Sequence, residues 1–223
     1  MVKAPQLQLL PLRCPNCSDD IGIGSMDKAF FCKRCLSLWD EEGGKLTKRD
    51  FQFIEAPNPG PYYIPFWTYS LIADTPLGRI EDFHGYINHI AFSKSIKFVE
   101  NHPLTLFVLA LSIKTEPNRL IVSKRFTYKQ EILTVSNPIV GHIWGPTISE
   151  MSARNYAKMI FLSTLSELRK NSIAFVSEIN IHLSDPILSF IPFWEDKTYY
   201  RELTTRIVVS KNLVTEKPTE FRP

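Results

Sequence analysis

The chain has 223 residues, 44% hydrophobic, 22% charged and 12% aromatic. This composition excludes a disordered chain and suits one medium domain with a small appendage. The formal net charge is +3 and is spread evenly, so the strongly basic footprint of a phosphate-backbone binder is absent.

The N-terminal stretch MVKAPQLQLLPLRC has one early lysine and a short apolar segment broken by Pro11, without a small-residue cleavage site. It does not read as a secretory signal. The longest apolar run, Leu104–Ile113, is about half of what spans a bilayer, so no membrane span is expected. Together with free thiolates, which persist in reducing compartments, this places the protein in the cytoplasm.

Four cysteines form two matched pairs, Cys14-Pro-Asn-Cys17 and Cys32-Lys-Arg-Cys35, with 14 residues between them. Two C-x-x-C turns at this distance suit one tetrahedral Zn²⁺ held by four thiolates. Such a centre is formally −2 and would lower the net charge from +3 to +1. Arg13, Lys28, Lys33 and Arg34 are placed to neutralise it; the alternative is that they contact phosphates. Phe30-Phe31 and Leu36, Leu38 and Trp39 read as two short strands, and Glu41–Gly44 as a turn.

These residues resemble a zinc ribbon, of the kind found in transcription factors, RNA polymerase subunits and many bacterial proteins. The resemblance covers about residues 10–47. It implies a structural Zn²⁺, one per chain, with a closed shell at Cys14, Cys17, Cys32 and Cys35. Rubredoxin-type iron sites favour Gly after the knuckle cysteines, whereas Ser18 and Leu36 stand here. The remainder resembles uncharacterised bacterial proteins that join an N-terminal ribbon to an IPFW-containing domain.

Ala56–Pro61 carries three prolines and reads as a stiff linker. The expected organisation is a ribbon over 1–55, a linker over 56–61, an α+β domain over 62–214 and a mobile tail over 215–223. Within the larger domain, Tyr62–Ile72 reads as a strand and Thr105–Lys114 as a strand buried on both faces. Glu116 to about Thr127 reads as a helix with proline in its first turn. Ile148–Asn171 is the strongest helix, with Ser149 or Ser152 as N-cap. Ile173–Leu183, Ile187–Trp194 and Thr198–Ser210 read as three further strands. Tyr63-Ile-Pro-Phe-Trp67 recurs as Phe190-Ile-Pro-Phe-Trp194, which is either coincidence or an internal duplication.

Other candidates are weaker in chemistry. Glu81, Asp82, His84 and His89 lie close in sequence and invite an acid–base or metal reading, but their spacing aligns them on neither a helix nor one strand face. Phe66, Trp67, Phe193 and Trp194 are a possible aromatic recognition surface, against the plainer reading as core. Pro65 and Pro192, inside strand-like runs, suggest edge strands or bulges. No nucleophile elbow, phosphate-binding loop or dinucleotide fingerprint occurs, and no small-molecule substrate is identified. The expected function is non-catalytic: a zinc-binding adaptor or assembly component acting by protein–protein recognition or self-association. The alternative is nucleic-acid binding through Lys28, Lys33, Arg34, Lys45, Lys48 and Arg49, with Phe31 or Trp39 stacking. A third reading is an enzyme using the Glu81–His89 cluster.

Overall fold

The computed structural model describes residues 13–21, 28–32, 34–42, 45–89, 101–130, 133–165 and 176–222. In chain order these form β1 (Ala29–Cys32), β2 (Ser37–Glu42), β3 (Lys45–Ile54), β4 (Tyr62–Thr75), β5 (Gly78–Ile80) and α1 (Phe83–His89). There follow β6 (Thr105–Leu109), α2 (Glu116–Lys129), β7 (Val135–Ser136), β8 (Gly141–Ile143) and α3 (Glu150–Thr164). The last elements are β9 (Asn180–Leu183), β10 (Ile187–Glu195), β11 (Tyr199–Arg201), β12 (Val208–Ser210) and β13 (Thr219–Phe221). The architecture is mixed α and β, a curled sheet with three helices. Among the described residues no helix is long and apolar enough to cross a membrane.

The sheet is ordered β1-β2-β3-β10-β4-β8-β13, with shorter strands attached to this path. Its axis is β4, whose side chains alternate strictly between two cores. Tyr63, Trp67, Tyr69 and Leu71 join Ala153, Ala157, Ile160 and Phe161 of α3 and Phe83 and Tyr86 of α1. Ile64 and Phe66 join Val122 and Phe126 of α2. In β6 and just beyond it, Leu106, Val108 and Ala110 face the first core while Phe107, Leu109 and Leu111 face the second. A strand buried on both faces has no polar side, hence the continuous apolar run in the sequence.

β4 is not an edge strand. One of its edges takes β10 and β9, the other β8, β6 and β5. Pro65 is tolerated because its missing N–H falls between the β8 and β6 pairings, while its carbonyl accepts the Ala110 N–H at 2.9 Å. Pro192 sits likewise on β10, between the end of the β3 pairing at Phe190 and the start of the β11 pairing at Trp194. The two echoed segments pair with each other: Ile64 faces Ile191, flanked by Tyr63 with Pro192 and Pro65 with Phe190. This places the copies about a local twofold centred on the isoleucine pair. Phe66 and Phe193 stack across it at 6.4 Å and 5°.

The free edge of β6 is closed by a helix instead of a strand. Leu109 N–H donates to Ser123 Oγ at 3.0 Å and Phe107 N–H to Thr127 Oγ1 at 3.2 Å. Thr105 N–H donates to Gln130 Oε1 at 3.0 Å, and Arg119 Nη1 donates to the Leu111 carbonyl at 3.1 Å and to that of Leu109. Residues four apart on a helix rise about 6 Å, close to the about 6.8 Å between alternate residues of a strand. A polar row at 119, 123, 127 and 130 therefore mimics a neighbouring ladder. All four residues are buried, and the edge is hidden from intermolecular pairing.

Other boundaries differ from expectation. α3 is capped as read, with Ser149 Oγ accepting the Ser152 N–H at 3.3 Å, but it ends at Thr164 and residues 166–171 lie outside the described set. Thr198–Ser210 is a hairpin of β11 and β12, not one strand. The buried Glu202 carboxylate accepts the Thr204 and Thr205 N–H groups and folds the chain back. Within the tail, Thr219–Phe221 pairs with β8. β3 runs from the cysteine-bearing hairpin directly into the main sheet, pairing with β2 over Lys45–Arg49 and with β10 over Asp50–Phe53. Glu55–Pro61, which follows, forms no strand.

Candidate metal centre

β1 and β2 are an antiparallel pair in register Cys32 with Ser37, which sets Cys32 and Cys35 at the closed end of the pair. The first C-x-x-C lies in a loop closed by a bridge between Arg13 and Asp20 and by Cys14 N–H donating to the Asp19 carbonyl at 2.8 Å. The four Sγ atoms all lie within 4.8 Å of one another. Cys14 and Cys32 are 1% exposed, and no sulfurs are bonded. Cys14 and Cys35, and Cys17 and Cys32, approach to 3.5 Å. Tetrahedral ligation at about 2.3 Å per sulfur spaces sulfurs about 3.8 Å apart, so this cluster can hold one metal ion.

The two turns are built alike. Cys14 Sγ accepts from the N–H groups of Asn16 and Cys17; Cys32 Sγ accepts from those of Arg34 and Cys35. The residue after each second cysteine is left-handed: Ser18 at φ 59° and Leu36 at φ 50°. Burial opposes the Cys14 thiolate, but the Ser37 hydroxyl and the two backbone donors outweigh it and bring the thiol down to about 6. Cys17 also has a donor, the Asp19 N–H, yet burial and the three neighbouring sulfurs push it up to about 12. A cation among the sulfurs removes that mutual repulsion. The Ser37 hydroxyl accepts from Trp39 Nε1 at 2.9 Å, which leaves its own proton for Cys35 Sγ at 3.0 Å or Cys14 Sγ at 3.4 Å.

Two of the basic residues named from the sequence are paired with carboxylates. Arg34 pairs with Asp19 at 3.5 Å on the surface. Arg49 is drawn inward, 3.5 Å from Asp40 and 3.6 Å from Glu150. Asp40 is fully buried and its carboxylate accepts the Glu150 N–H at the start of α3, so this network pins the hairpin to α3. Burial nonetheless raises the Asp40 pKa against the Glu150 N–H and the Arg49 charge. Lys28, Lys45 and Lys48 are exposed, and Lys33 lies outside the described residues. Trp39 is half-buried on the Ser37 hydroxyl.

Phe66, Trp67 and Phe193 are completely buried and belong to the core rather than to a recognition surface, while Trp194 is half-buried. The centre of a two-sided sheet has no exposed face, so alternation buries the first three whichever way they point. The histidine–carboxylate cluster does not converge either. Asp82 Oδ1 accepts the Gly85 N–H at 2.7 Å and Oδ2 accepts from Asn101, which together draw its pKa down, while Glu81 pairs with Arg79 at 3.1 Å. His84 is exposed on α1, and the His89 side chain lies outside the described residues. Sequence reading missed one polar constellation: Glu195 accepts from Tyr62 at 2.7 Å and from Lys211 at 2.6 Å, with His142 stacked on Tyr62 at 4.6 Å. Its members are 133 residues apart in sequence for Tyr62 and Glu195, a separation that no local pattern signals. Comparison with family models, curated proteins and solved structures finds no match for this chain.

Proposed function

We propose that this is a non-catalytic zinc protein whose cysteine-built ribbon recognises another protein. The observation that carries the reading is Leu36. It is 46% exposed at the tip of the second knuckle and held at φ 50°. A bulky apolar side chain in the left-handed region costs about 1–2 kcal/mol relative to glycine there. An exposed leucine at a strained position gains nothing from folding, and contact with a partner offsets both its strain and its exposure.

The metal is Zn²⁺ bound by Cys14, Cys17, Cys32 and Cys35. Four sulfurs complete a tetrahedral shell and leave no position for substrate, so the ion's part is to hold the knuckles in shape. The ribbon is a platform, pinned to α3 through Asp40 and Arg49. The two IPFW segments are a duplicated strand unit in this reading, supported by their pairing about a local twofold. Leu36→Gly tests the function: it relieves the backbone strain and leaves the four thiolates intact. Zinc content and folding should be retained while association with a native partner, or self-association, is lost. A Leu36→Gly protein that associates as wild type does would refute the reading.

A further inference from the structure

On the α2 face of the sheet, beyond the apolar core, lies a cavity of about 380 Å³. Its floor is polar where the same face is elsewhere hydrophobic. Gln52 of β3 lies opposite Ser189 of β10, and Thr68 of β4, opposite Ile187, stands diagonal to Ser189 on the same face. They form a directed hydrogen-bond chain. Thr68 Oγ1 donates to the Ile187 carbonyl at 2.9 Å, so it accepts from Ser189 Oγ at 3.1 Å. Ser189 in turn accepts from Gln52 Nε2 at 2.8 Å. The chain ends on a backbone carbonyl and its direction is thereby fixed. The Gln52 carboxamide is thus oriented, with its Oε1 and second N–H turned away from the chain.

Among the described lining residues Phe107 and Leu133 are apolar, and His102 is the one titratable group. Its Nδ1 donates to the Pro103 carbonyl at 3.0 Å, and its Nε2 is buried and without a partner among the described residues. Gln130, the C-cap of α2, also lines the cavity. A helix C-terminus carries partial negative charge and disfavours anions. Among the described residues no aromatic pair is arranged to sandwich a base: one face of His102 is already stacked on Phe83 at 5.1 Å, and Phe107 is 4% exposed.

From this we infer that the cavity is a binding site for a small, uncharged, polyhydroxylated ligand, of monosaccharide to disaccharide size. Its volume lies within the range of ligand sites, about 300–1,000 Å³. The carboxamide offers a donor and an acceptor side by side, which suits two neighbouring hydroxyls. No lysine or arginine stands among the described lining residues to hold a phosphate or carboxylate. This site is separate from the cysteine cluster and does not depend on the protein-recognition reading.

Saturation-transfer NMR on the full-length protein tests it, with glucose, galactose, mannose, N-acetylglucosamine and maltose as probes, and a phosphorylated hexose and adenosine as comparisons. At least one neutral sugar should bind, and the phosphorylated hexose and adenosine should not. Gln52→Leu, at a partly exposed position, should weaken that sugar by about ten-fold or more, and Leu133→Trp should fill the cavity and abolish binding. Unchanged circular dichroism for each variant separates these effects from misfolding. No binding by any neutral sugar, preference for the phosphorylated hexose or adenosine, or binding unaffected by both substitutions would each overturn the assignment.

Discussion

The helix that closes the β6 edge makes a quantitative prediction. Thr127→Val keeps the side-chain shape and removes only the hydroxyl that accepts the Phe107 N–H. Ser123→Ala does the same to the Leu109 N–H. Ser123 and Thr127 are wholly buried, so no water replaces the lost partner. An orphaned buried donor costs about 1–3 kcal/mol, so each single substitution should destabilise by that amount. The double variant should lose about 2–5 kcal/mol, somewhat below the sum because both groups share one seam. That is a large fraction of a typical stability of about 5–15 kcal/mol. Urea unfolding followed by circular dichroism measures it as a lowered midpoint at unchanged slope. Ile121→Ser, on the exposed side of the same helix, is the control and should stay within about 0.5 kcal/mol. A double variant that unfolds with the control would show that these side chains do not complete the β6 ladder.

Further predictions follow from separate parts of the molecule. A Cβ on Gly141 would lie 2.3 Å from the Pro61 carbonyl oxygen, so Gly141→Ala should destabilise by about 1–3 kcal/mol and lower the thermal midpoint by several degrees; an unchanged midpoint would contradict the close approach. Cobalt titration of the reduced apoprotein should give the visible spectrum of a tetrahedral tetrathiolate at one ion per chain, and Cys32→Ser should abolish it while β4 and β10 stay folded; a stoichiometry other than one counts against the site. The Glu195 hydrogen bond, followed by burial, pushes the Tyr62 hydroxyl from 10.0 up to about 12. Because the folded value is the higher one, the associated stability is fully present below pH 10 and fades as the pH rises toward 12. In an ultraviolet phenolate titration, Glu195→Gln should therefore bring one tyrosine back toward its ordinary value, and a titration identical to wild type would remove this coupling.

What sequence reading could see was governed by locality. The cysteine pairs, Pro117 in the first turn of α2, the Ser149 cap and the aromatic strands β4 and β10 are signalled within a few residues, and each is found. The prolines misled because an isolated strand shows only that an N–H is missing, not that the gap falls between two partners of a central strand. Nothing local reveals a strand edge beside Arg119, Ser123, Thr127 and Gln130, so their part in closing it has no signal in the sequence. Arg49 looked like one more surface cation, and only the fold brings Glu150 to it across 101 positions of sequence. The cavity floor combines three strands whose adjacency is set by topology, so Gln52, Thr68 and Ser189 carry no signal in the sequence at all.

In the proposed function a zinc-built knuckle presents Leu36 to a protein partner. Its most direct test is quantitative affinity purification from the native host, with wild type and Leu36→Gly matched for zinc content and monitored for oligomeric state. A partner, or a self-associated form, should be retained by wild type and lost from Leu36→Gly at equal zinc. Indistinguishable retention by the two proteins, or a wild type that stays strictly monomeric and alone, would contradict it.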